Sequence, residues 1–121
     1  MYSHQGAIQL IESAFPCLTV GLHDDIVEDL LHPQMGVFSD LAQATIDSED
    51  SRRWSLVTAT FMELWLNCDD AVKNALNVSF LEHLVFDDLN FQPNWAFSAM
   101  PPAMRTAWEE MDSYNRRLHG G

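Results

Sequence analysis

Neither lysine nor arginine occurs in the first 51 residues, which carry nine acids: Glu12, Asp24, Asp25, Glu28, Asp29, Asp40, Asp47, Glu49 and Asp50. Over the whole chain eighteen acids face six bases, a formal net charge of −12. Such a field repels nucleic acid and anionic membrane, and it speeds encounter with a basic partner. Acidic surfaces also keep cytosolic proteins soluble, so the charge speaks to association and solubility rather than to fold.

Cysteine is scarce. Cys17 and Cys68 lack a CxxC spacing or a histidine at ligand spacing, which argues against a disulfide framework or a cysteine zinc site. Their apolar neighbours predict reduced core thiols in a reducing compartment. Of five glycines none clusters except at the tail, and neither GxSxG nor a glycine-rich phosphate loop is present. No apolar stretch approaches eighteen residues, and no charged segment followed by an apolar run opens the chain. The expectation is a soluble, non-exported, cytoplasmic protein that engages neither nucleic acid nor membrane. No alternating run is long enough for a strand, so the class is all-α.

What is present is apolar surface: 47% hydrophobic residues with four Trp and seven Phe among 121. That is enough for one domain, 1–121, with a core that needs neither disulfide nor metal, and with 118–121 as a frayed tail. The pattern predicts about five to six helices around a central antiparallel hairpin. The second arm of that hairpin is the stretch 68–85, CDDAVKNALNVSFLEHLV. Asp69 or Asp70 suits its N-cap. Val72, Leu76, Phe80 and Leu84 form one apolar face, and Ala71, Ala75, Val78, Leu81 and Val85 another, so neighbours are expected on two sides. Lys73, Asn74, Asn77, Glu82 and His83 are left to water and the helix edges.

The other elements obey the same periodicity. A first helix over 3–15 buries Ile8, Ile11 and Phe15 and is stopped by Pro16. The apolar connection 17–22 could be extended but has no evident strand partner. The stretch 23–33, HDDIVEDLLHP, predicts a short helix capped by Asp24 or Asp25 and closed by Pro33. A helix over 35–46 carries Met35, Phe38, Leu41, Ala42 and Thr45, and a polar loop leads into another over 52–67. There Trp54, Val57, Phe61, Leu64, Trp65 and Cys68 make the stripe, widened by Met62 and Leu66. After Val85 comes an aromatic segment with one helical turn near Trp95, and Pro102 opens a last helix striped by Met104, Ala107, Trp108, Met111 and Leu118.

Few residues carry chemistry. Asp25, Glu28 and Asp29 lie within one turn, but the alternating acids and sixth-position glycine of a calcium loop are missing, so they read as a solvated or partner-facing acidic patch. No histidine pair has zinc-helix spacing, so no metal or other cofactor is expected. His83, close to Asp87 and Asp88, is the one histidine in a plausible acid–base constellation, and nothing beyond sequence proximity supports it. Trp95, beside a proline in an irregular segment, is a candidate partner anchor.

The order of these features resembles a group of small all-helical bacterial domains of unknown function, some of which sit in toxin–immunity loci. The carrying residues are Phe15-Pro16, the run Gly36 to Leu41 (GVFSDL), Phe61 to Leu64, the NALNVSFLEHL run from Asn74, Met100-Pro101 and Trp108. The resemblance implies a helical fold and a binding role, with no catalytic residues; Asn74 and Glu82 belong to its pattern.

With the acidic N-terminal half, it leads to the expectation of a non-catalytic immunity protein that occludes a cognate toxin domain with a basic cleft. The partner-binding residues would be Asp24, Asp25, Glu28, Asp29, Asp47, Glu49, Asp50 and Trp95. The alternative is a helical adaptor or regulatory module with an apolar groove, which a homodimer would also satisfy. A small carboxylate enzyme using His83 is the third reading.

Overall fold

The computed structural model describes residues 1–86 and 94–118. Among them the secondary structure is helical, and the one extended pairing is an isolated parallel bridge between Tyr2 and Cys68. The Tyr2 amide donates to the Asn67 carbonyl at 2.6 Å and the Asp69 amide to the Tyr2 carbonyl at 2.9 Å, so the N-terminus is pinned at a helix joint.

Helix α1 (His4–Ala14) buries Ala7, Ile8 and Ile11, as its spacing predicts. Pro16 stops it, and a 3-10 turn (Pro16–Leu18) passes into the one-turn α2 (Thr19–Leu22), so the connection is helical rather than extended.

The predicted helix over 23–33 is corrected. Asp24 does accept from the Ile26 amide at 3.0 Å, and its carbonyl accepts from Val27 and Glu28, which starts one turn. Asp29 then adopts a left-handed backbone (φ 64°) and Leu30 an extended one, which ends the turn. Leu30 instead becomes the N-cap of α3 (Leu31–Asp47). Pro33 lies in the first turn of that helix, where a missing N–H costs nothing, so it helps open a helix rather than close one. The apolar residues meant for the lost helix stay outside, Ile26 at 82% exposure and Leu30 at 50%.

Helix α3 buries Met35, Phe38, Leu41, Ala42 and Thr45, the predicted set. Its end is a Schellman closure, in which Glu49 donates to Ile46 at 3.1 Å and Asp50 to Thr45 at 3.2 Å. Asp50 at once caps α4 (Ser51–Asn67) by accepting from the Arg53 amide. Trp54, Val57, Phe61 and Leu64 are buried along α4, whereas Leu66 is 69% exposed and does not widen the stripe.

One continuous helix over 68–85 does not form. Asp69 caps α5 (Asp70–Ala75), which widens into a π turn (Leu76–Phe80) and tightens into a 3-10 turn (Leu81–His83). The extra residue of the wide turn rotates the downstream side chains by about 100°. The expected first face, Val72, Leu76, Phe80 and Leu84, is buried throughout, and Ala75 and Leu81 of the second face are buried too, while Ala71, Val78 and Val85 are exposed. The main neighbour of the π turn is α3. The Ser39 hydroxyl of α3 donates to the Phe80 carbonyl at 3.0 Å, and His32 Nδ1 lies 2.7 Å from the Ser79 hydroxyl. At the exit, the Gln43 side-chain amide pairs with both backbone groups of Val85.

A column of aromatic rings, stacked from Phe38 onward, runs through the core. Phe15, Phe38, Phe80, Phe61 and Trp65 succeed one another at centroid spacings of 5.9, 4.6, 5.5 and 5.4 Å. Each fully buried Phe contributes about 1.5–3 kcal/mol of transfer free energy. A second cluster joins Trp54, Phe86, Phe97 and Trp108 edge to face. It seats α6 (Trp95–Ser98), capped by Asn94, against α7 (Pro102–Leu118). Cys17 is exposed and Cys68 half-buried, both as free thiols, so neither is a core residue.

Candidate functional site

The turn at 24–29 and helix α1 together form an acidic pocket of about 260 Å³. Two features build it. The buried Gln34 side chain donates to the Leu22 carbonyl at 2.8 Å and lies 2.6 Å from His4 Nε2, which locks α1, α2 and α3 together at the pocket floor. His23 then stands between the walls, with Nε2 2.5 Å from Glu12 of α1 and Nδ1 2.7 Å from Glu28 of the turn. Only an imidazolium donates from both nitrogens. The hydrogen bonds to Glu12 and then to Glu28 accordingly raise the His23 pKa above its ordinary value, against a smaller opposing desolvation.

Asp29 completes the rim, and the pocket lining contains no lysine or arginine. Asp24 and Asp25 are exposed beside it. Because α1, α2 and α3 all come from the first 51 residues, no cation other than histidine comes from the elements that form this surface.

The predicted acids do not form one surface. Asp47, Glu49 and Asp50 lie at the other end of α3, about 25 Å away for a helix of that length. There the Asp50 carboxylate is spent on capping α4, and Arg52 and Arg53 lie in the first turn of that helix. Trp95 belongs to this second end. It packs edge-on to Trp54 at 6.4 Å, and its indole N–H is enclosed with no partner among the described residues, so the ring serves packing first. His83 is exposed, while Asp87 and Asp88 lie outside the described residues. Among those described, no three His, Cys, Asp or Glu side chains converge to hold a metal ion, and no helix is long and apolar enough to cross a membrane.

A second concavity, of about 440 Å³, lies between α5 with its π turn and the C-terminal half of α7. Trp65 forms its floor, and Lys73 Nζ sits 4.7 Å above that ring. Asn74, Asn77 and Val78 make one wall, and Met111, Tyr114 and Asn115 the other. From the sequence Asn74 and Asn77 are left to water and the helix edges, because the groove exists only where α7 comes to lie beside them. The one available signal is the place of Asn74 and Glu82 in the family-like motif.

The geometry therefore defines an all-α domain with an acidic pocket and a separate amide-walled groove. The chain belongs to the family described as a domain of unknown function, DUF7674, whose model matches residues 8–116. No curated protein matches the chain. No solved structure matches it.

Proposed function

We propose that this protein is a non-catalytic, cytoplasmic immunity protein that binds a cognate bacterial toxin domain and occludes a basic cleft on it. The observation that carries the reading is the acidic pocket and the carboxylates beside it: His23 bridges Glu12 and Glu28, while Asp24, Asp25 and Asp29 are exposed with no lysine or arginine on the turn or in the pocket lining. A surface of one sign steers a basic partner and places carboxylates where phosphate oxygens would sit. Exposed Ile26 and Leu30 on the same turn supply the apolar contact that charge alone lacks. The sequence resemblance to domains found in toxin–immunity loci supplies the class of partner.

Compared with the expectation from sequence, the proposed interface contracts to the 24–29 turn and α1. Asp47, Glu49, Asp50 and Trp95 become secondary to it. The test is co-expression with the C-terminal domain of the protein encoded by the upstream neighbouring gene, read as growth rescue and as pull-down at low and high salt. Rescue with a complex that weakens steeply as salt rises supports the proposal. Rescue that survives the triple substitution Asp25→Lys, Glu28→Lys and Asp29→Lys removes the acidic pocket as the interface, and absence of any complex removes immunity.

A further inference from the structure

The groove along α7 has walls, a floor and a length that fit a different occupant from the acidic pocket, with which it shares no lining residue. It continues past Trp65, Ala107 and Glu110 into a shallower hollow of about 330 Å³ bounded by Pro102 and Thr106. Measured on α7 from Pro102 to Asn115, the concavity is about 20 Å long, the span of about six residues of extended chain.

The lining chemistry is that of a backbone reader. Asn74, exposed, and Asn77, half-buried, line the groove, and each side-chain amide offers one carbonyl and two N–H donors. The fold already pairs a side-chain amide with a peptide unit elsewhere: Gln43 donates to the Val85 carbonyl at 3.2 Å and accepts from its amide at 2.8 Å. Val78, at 40% exposure, and Tyr114, at 57%, leave apolar surface for the occupant's side chains over Trp65. Glu82 and Glu110 have no ion-pair partner among the described residues, whereas the groove's one cation, Lys73, is seated on Trp65. With Lys73 drawn over Trp65, Glu82 and Glu110 leave the groove lining net negative, which favours a basic side chain.

We propose that this groove docks an extended basic segment of a partner protein, about six residues long, its backbone read by Asn74 and Asn77 and its arginine or lysine held by Glu82 and Glu110. The site does not depend on the immunity reading, and its test separates the two.

The probe is a pool of capped hexapeptides with arginine fixed at the third position, against an identical pool with glutamate there. Each is titrated into the full chain while the Trp65 indole and the Asn74 and Asn77 side-chain amide resonances are monitored. The arginine pool should shift all three and leave His23 unmoved, and Glu110→Lys, on the exposed face of α7, should weaken the response roughly tenfold. Asn77→Leu should do the same with an unchanged circular dichroism spectrum. Equal response to the glutamate pool, shifts confined to the His23 surface, or no shift at millimolar peptide would overturn the proposal. Shifts that depend on protein concentration without peptide would overturn it too, by making a second copy the occupant.

Discussion

His23 Nε2 lies 2.5 Å from Glu12 Oε1, and this contact ties the 24–29 turn to α1 across eleven residues of chain. With Glu28 on the other ring nitrogen, the imidazole is a clasp whose strength depends on its proton. Asp24, Asp25 and Asp29 on the turn, and His4 on α1, are the other titratable groups around it.

Raising the pH should loosen this clasp. The folded pKa of His23 is raised, so its stabilising contribution is complete below the unfolded value of about 6.5 and is lost as pH climbs through the higher folded value. The difference in urea midpoint between wild type and His23→Gln should therefore be larger at pH 6 than at pH 9. A difference that stays constant would make the ring a packing element.

The two acidic ends of α3 should behave differently towards a basic partner. Asp25→Lys with Asp29→Lys should slow association at least tenfold at low salt, and this effect should shrink at high salt. Asp47→Lys with Glu49→Lys should change the rate little, because Arg52 and Arg53 already offset that end. Stopped-flow association with the toxin domain at two ionic strengths measures both.

Glu49→Gly should stabilise the protein. Glu49 holds φ 56° at the position after the α3 C-cap where glycine is usual. Relief of the left-handed strain, less the extra chain entropy of glycine, leaves about 0.5–1 kcal/mol, visible as a higher urea midpoint. Asp29→Gly should gain less, since aspartate tolerates that region better.

Ser39→Ala should cost about 1–3 kcal/mol, because it leaves the buried Phe80 carbonyl without the hydroxyl it accepts from. Phe80→Ala should cost about 3–5 kcal/mol by opening the middle of the aromatic column. In hydrogen exchange, Ser39→Ala should lower protection in residues 76–83 first. Uniform loss across the core would mean that the π turn is not a local dependent of α3.

The helices that periodicity alone specifies, α1, α3, α4 and α7, were all legible, because each has an apolar stripe long enough to set its own phase. Two helix starts were legible too, at Asp69, one of the two residues expected to cap the 68–85 stretch, and at Pro102, which opens α7. The turn at 23–30 was not. Its apolar spacing is that of a helix, but the left-handed Asp29 and the restart at Leu30 depend on where α3 must lie, and one histidine holds the result in place.

By itself the sequence determined the all-α class, the buried faces of the long helices and an N-terminal half without a single lysine or arginine, since these depend on residue type and local period. Tertiary structure decided the rest. It separated acids that are neighbours in composition to opposite ends of α3, wound 76–80 as a π turn, and laid α7 beside Asn74 and Asn77 to make a groove. Those outcomes depend on contacts between residues far apart in the chain, such as Ser39 with Phe80 and Glu12 with His23, and a local pattern carries no record of them.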